Sequence, residues 1–169
     1  MAKTSYAVAL GSNRRHGRHG APARVIAAAV EALRGEGLNV TAFSPIRATP
    51  AMGPAGRGFA NAAAILRSDL DPPELLALLK DVERTFGRRP GRRWGPRVLD
   101  LDIILWEEGP WEGAGLLVPH PAFRERRFVL EPLADIASGW RDPLTGATIR
   151  QLLHRLSARR PVDRALRPS

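Results

Sequence analysis

With 169 residues, 25% charged and 44% apolar, the chain has an ordinary globular composition and room for one well-formed core rather than two. It has no cysteine, which excludes disulfides and thiolate metal sites, and it has neither a secretory leader pattern nor an apolar run near the ~20 residues of a membrane span. Its 26 basic residues outnumber 17 acidic ones, and the net charge of +9 asks for a polyanion without choosing among nucleic acid, nucleotide and acidic membrane. A soluble, cytoplasmic protein is the expectation.

Tyr6 to Leu10 sets Tyr6, Val8 and Leu10 against Ala7 and Ala9, a strand that stops at Gly11-Ser12-Asn13. In the basic loop that follows, His16 and His19 have no partner carboxylate and read as solvated surface rather than metal ligands. Pro22 opens a helix whose stripe is Val25, Ile26, Ala29, Val30 and Leu33, ended by Gly35 and Gly37. Leu38 to Phe43 is a second strand, and residues 49–58 form a long Pro/Gly loop of the kind that often carries binding function in compact domains. Phe59 to Leu66 is a third strand, with Phe59, Asn61, Ala63 and Ile65 on one face. Asn61 suits either the edge of a heterocycle or a bond to neighbouring backbone.

Asp71-Pro72-Pro73-Glu74 resembles a capping box, opening a helix with a stripe of Leu75, Leu76, Leu78, Leu79, Val82 and Phe86 and a stop at Gly87. Glu83 sits at the margin of that stripe, placed to meet an arginine or a ligand hydroxyl. Residues 88–93 are an arginine-dense loop hinged at Pro90 and Gly91, either a solvated face or a lid whose guanidinium groups grip phosphates. Val98 to Trp106 is the next strand. Simple alternation puts Leu99, Leu101, Ile103 and Leu105 on one face and Asp100 and Asp102 on the other. Two carboxylates some 6 to 7 Å apart on one strand face repel each other unless neutralised, either by a divalent metal or by Arg93 or Arg97. Leu116 to Val118 pairs back as a short strand, and Pro119-His120-Pro121 presents a histidine on a stiff backbone. Phe128 to Leu133 is an apolar segment expected to pack under the site. A short last helix spans Ile149 to Leu156. The chain is therefore expected to form one domain over 1–157, with a loosely ordered basic tail at 158–169.

The order strand, helix, strand, strand, helix, strand predicts an α+β fold, a ferredoxin-like βαββαβ core. Its antiparallel sheet carries helices on one face, with additional C-terminal elements, and the other face is left for ligand. Gly11-Ser12-Asn13, Thr49-Pro50 with Gly53, Phe59-Ala60-Asn61-Ala62, Glu83 with Gly87-Arg88, Pro119-His120 and Arg126 with Phe128 carry a specific likeness. So does the run Arg93-Trp94-Gly95-Pro96-Arg97 with Leu99-Asp100-Leu101-Asp102. From about Tyr6 to Leu156 the chain resembles the 6-hydroxymethyl-7,8-dihydropterin pyrophosphokinases.

The resemblance implies transfer of the β,γ-pyrophosphoryl group of ATP to the pterin hydroxymethyl, releasing AMP, in folate biosynthesis. It implies two Mg²⁺ ions on Asp100 and Asp102, and a pterin between Phe59 and Phe128 with Asn61 on its edge, near Thr49, Pro50 and Met52. It sets ATP against Glu83, Trp94, Arg97, Ile103, His120 and Arg126, with Arg88 and Arg97 as catalytic groups on the phosphates. Small-molecule substrates, a monomer, and no nucleic-acid or membrane partner are the matching expectations. The rival from another class is an RNA-recognition-motif module, since Arg57-Gly58-Phe59-Ala60 matches the start of the RNP1 pattern. Asn61 and Ala62 then stand where an aromatic and a valine are wanted. A metal-dependent nuclease would use the same two aspartates.

Overall fold

The structure, a computed structural model, describes residues 2–13, 19–49, 58–87 and 98–165, with only the backbone of Thr49 and of 159–165. Its central sheet is antiparallel throughout, in the order β2 (Asn39–Phe43), β4 (Phe59–Ser68), β1 (Thr4–Ser12), β5 (Asp100–Trp106). A three-residue strand that periodicity could not reveal, β3 (Arg47–Thr49), extends the β2 side by pairing with the start of β4. With helices α1 (Pro22–Gly35) and α2 (Pro72–Gly87) between strands, this is the expected ferredoxin-like order.

Alternation builds the first core. Tyr6, Val8 and Leu10 of β1, Ala60, Ala62, Ala64 and Leu66 of β4, and Leu99, Leu101 and Ile103 pack against the stripes of α1 and α2. The alanine-rich face of β4 lets those helices approach closely. At the start of α2, Asp71 Oδ1 accepts from the Glu74 N–H at 2.9 Å while Glu74 Oε1 accepts from the Asp71 N–H at 3.0 Å, the reciprocal pair the sequence suggested. A hairpin of β6 (Trp111–Gly113) and β7 (Leu116–Val118) returns to the first core, and the Trp111 ring meets Trp106, which stacks on Tyr6 with ring centroids 5.7 Å apart.

The second sheet face is not left bare. Phe128 to Leu133 lies within a helix, α3 (Arg127–Ala137), which follows a short 3₁₀ turn at Phe123–Glu125. Helix α4 (Ile149–Ala165) continues past Leu156, the expected end. Val129, Leu130 and Leu133 of α3 pack over the sheet face of Ala7, Ala63, Ile65, Ile104 and Leu105, and Ile149 and Leu152 of α4 join the same core from against α3 and the 3₁₀ turn. Among the described residues, only the end of this face near Gly11 and Asp100 is left uncovered. Leu105 belongs to this second core and not, as simple alternation required, with Leu101 and Ile103. Val8 pairs with Ile103 but Ala7 with Leu105, so Ile104 is an extra residue, and this β-bulge turns Leu105 to the opposite face. The Ile104 carbonyl accepts the His120 N–H at 3.0 Å.

Candidate active site

The open end of the second face is a cavity of about 720 Å³. Its floor follows from strand register. Gly11 of β1 stands between Asn61 of β4 and Asp100 of β5, and in the next row towards α3 Ala9 stands between Ala63 and Asp102. Adjacent strands lie about 4.8 Å apart, so Asn61 and Asp100 face the cavity with Cα atoms on the order of 10 Å apart. Among the described residues, the small central ones leave the space between them unfilled. A Cβ at Gly11 would come within 3.3 Å of Asn61 Oδ1, close enough to press the amide aside by a few tenths of an ångström.

The walls are aromatic. Phe59 at the start of β4 and Phe128 in the first turn of α3 both line the cavity, 51% and 52% exposed, an unusual outlay of apolar surface unless a flat ligand covers it. Arg126, the residue capping α3, also lines the cavity and lays its guanidinium 5.7 Å from the Phe128 ring centroid. At the mouth, Asn13 Oδ1 is buried without a hydrogen-bond partner among the described residues. The sequence places Asn13 in a motif but assigns it no task.

Asp100 and Asp102 thus share the cavity with Asn61, Phe59, Phe128 and Arg126, all residues singled out from the sequence. Three other candidates stand apart. Glu83 is buried, its Oε2 accepting the Leu101 N–H at 2.8 Å and its Oε1 facing Lys80 Nζ at 3.2 Å. Since β5 ends the sheet order, this carboxylate occupies a strand-edge donor between the two aspartates. Ile103 is 2% exposed in the first core, so its side chain is not offered to a nucleotide. His120 does not line the cavity but lies close enough to Asp102 and Arg126 to feel both. Burial lowers its pKa most, Asp102 opposes the shift and Arg126 adds to it. Its Nδ1 accepts the Ala122 N–H at 3.2 Å, leaving Nε2 as the N–H donor of a neutral ring.

Pro50, Met52, Arg88, Trp94 and Arg97 lie outside the described residues, as do His16 and the Thr49 side chain. His19 is described, and its ring sits 5.3 Å from that of Phe86 rather than wholly in solvent. Gly87 and Val98, the described residues on either side of 88–97, lie against each other: a Cβ on Gly87 would fall 2.9 Å from Val98 Cγ2.

The family model for 7,8-dihydro-6-hydroxymethylpterin-pyrophosphokinase matches residues 7–138, a span that contains all the described cavity residues. The chain belongs to this pyrophosphokinase family. Similar proteins include the 2-amino-4-hydroxy-6-hydroxymethyldihydropteridine pyrophosphokinase of Synechocystis, 43% identical over 71% of this chain and 62% of that one. The enzyme of the same name from Methylorubrum extorquens is 39% identical over 81% and 87% of the two chains. A crystal structure of Plasmodium falciparum HPPK-DHPS superposes on 97% of this chain and 43% of its own with a TM-score of 0.73, at 12% identity, a likeness of fold. The chain thus spans under two thirds of the Synechocystis protein and under half of the Plasmodium one. Pyrophosphokinase membership gives the RNA-recognition alternative no support, and two carboxylates on the open face would repel an RNA backbone. Among the described residues, no helix is long and apolar enough to cross a membrane.

Proposed function

We propose that the protein transfers the β,γ-pyrophosphoryl group of ATP to the hydroxymethyl oxygen of 6-hydroxymethyl-7,8-dihydropterin, giving the pterin diphosphate and AMP. One observation carries this reading: a single cavity holds a carboxylate pair, an amide and two half-exposed aromatic rings. That set fits a flat heterocycle beside a metal-bound phosphate chain. Family membership supports ATP and the reduced pterin alcohol as the two substrates.

The pterin ring system stacks between Phe59 and Phe128, and the Asn61 amide, both donor and acceptor, reads its edge. Asp100 and Asp102 are suited to Mg²⁺, which usually takes only one or two carboxylates and completes its octahedron with water and phosphate oxygens. Among the described residues no cluster of three or more His, Cys, Asp or Glu side chains forms a closed protein cage, which fits a metal shared with substrate. Two bound Mg²⁺ ions would neutralise the phosphate chain and the charge developing on it. The pterin oxygen forms a bond to the β-phosphorus of ATP as the bond from that phosphorus to the α,β-bridging oxygen breaks; the hydroxyl loses its proton and AMP departs with the bridging oxygen. No protein nucleophile is needed, so the enzyme's task is alignment and charge neutralisation. Arg126 and the neutral His120 border the nucleotide side, Glu83 steadies the backbone between the aspartates, and Arg88, Trp94 and Arg97 complete the ATP site.

The deciding assay is AMP release from ATP and Mg²⁺ with and without the reduced pterin alcohol. Pterin-dependent AMP is expected. AMP formed equally without pterin, or cleavage of nucleic acid in its place, would overturn the reading.

A further inference from the structure

Across the rim of the cavity from the aspartates, Arg47 joins two elements that carry opposite walls of the slot. It lies on β3 directly opposite Asn61, and Thr49, two residues on, lies opposite Phe59. Residues directly opposite in a sheet project to the same face, so Arg47 rises on the cavity side. On α3, Phe128, Glu131 and Asp135 follow one another at spacings of three and four and share one helix face. Arg47 Nη2 donates to both carboxylate oxygens of Asp135, at 3.0 and 3.1 Å, and Nη1 stands 3.4 Å from Glu131 Oε2. Arg127 grips the other Glu131 oxygen at 3.0 Å and donates to Ser157 Oγ at 3.1 Å, which carries the chain of contacts to α4.

These ion pairs are poor stability devices, since the Arg47 side chain is 48% exposed and exposed pairs contribute little. Geometry is what they can supply. The apolar packing of α3 on β4 is non-directional and tolerates small slides and rotations of the helix, whereas a guanidinium held by two carboxylates one turn apart fixes both. We propose that Arg47 is a positioning residue that sets the width of the slot between Phe59 and Phe128, an inference that rests on reading that slot as the pterin site.

The test compares wild type with Arg47→Ala, Arg47→Lys and the charge-swapped pair Arg47→Asp with Asp135→Arg. Arg47→Ala is expected to raise the Kd and KM for the reduced pterin alcohol about tenfold, because small misplacements of binding groups are costly. The Kd of a non-hydrolysable ATP analogue should stay within about twofold, and Tm within about 3 °C. Lysine, which keeps the charge but loses the fork, should fall between, and the swapped pair should recover most of the pterin affinity. Amide exchange in residues 127–135 should quicken in Arg47→Ala without any ligand. Unchanged pterin affinity in Arg47→Ala, or equal losses for both ligands, would overturn the clamp. A wild type that binds no reduced pterin would overturn the reading of the slot itself, and is told apart because it fails before any substitution is made.

Discussion

Asp100 and Asp102 illustrate what a pair of residues can and cannot say. Aspartate is depleted in strands, and two on one face mark a cost that function has to offset, yet a metal and an arginine patch both meet that demand. The structure adds that both carboxylates line the same cavity as Phe59, Asn61 and Phe128, a non-local fact that no spacing along the chain contains. Asn at either position is expected to lower turnover at least a hundredfold while Tm holds or rises as the mutual repulsion is relieved. Steady-state AMP release and a thermal melt check both halves. Phe128→Ala should weaken reduced-pterin binding by about 1 to 3 kcal/mol with ATP affinity little changed, read by calorimetry, because the exposed ring has little packing to lose. Equal losses for both ligands would make it a structural residue. Gly11 stands in a motif legible in the sequence, but its task is not legible there: a Cβ would crowd an amide fifty residues away.

Long elements with a clean period were readable and short or interrupted ones were not. β1, β4, α1 and α2 follow their alternations and stripes. β3 has three residues, too few for any period. α3 carries Pro132 in its interior, which has no N–H to give the Phe128 carbonyl one turn back, so the segment reads as apolar but not as helical. The bulge at Ile104 inserts one residue into a run of uniformly apolar side chains, where a change of phase leaves no mark in composition. At α4 the sequence did hold a signal that went unused. Thr148 Oγ1 accepts the Gln151 N–H at 3.1 Å while Gln151 Oε1 accepts the Thr148 N–H at 2.9 Å, a second reciprocal cap. Thr148→Ala should cost about 1 kcal/mol, a fall in Tm of some 2 to 4 °C, with kcat untouched because α4 lies away from the cavity.

Over the whole molecule, one buried ion pair links the elements that follow the sheet. Asp142, 0% exposed just before α4, accepts from Arg124 of the 3₁₀ turn at 2.6 and 2.8 Å, from Thr145 Oγ1 at 2.7 Å and from the Leu144 N–H at 3.0 Å. Burial alone would raise its pKa, but these partners outweigh burial and bring it from 3.8 down to about 2. A carboxylate with a depressed folded pKa gives stability that is fully present above its unfolded value and lost as pH falls through the folded one. The contribution is on the order of 2 kcal/mol, present above pH 4 and fading towards pH 2. Asp142→Asn should therefore melt well below wild type at pH 7, and the gap should narrow as both are titrated from pH 4 towards 2; a gap constant with pH would assign the loss to packing.

The close approach of Gly87 to Val98 has a consequence for how this protein could change. Where the two residues that bound a segment meet, lengthening the chain between them adds only the logarithmic cost of loop closure, about 0.6 kcal/mol for each doubling. One or two residues inserted between Pro90 and Gly91 should then leave Tm within about 1 °C while altering turnover. Selection can then change the length and charge of the sequence between Gly87 and Val98 at little cost in loop closure, a freedom that rests on one glycine lying against one valine.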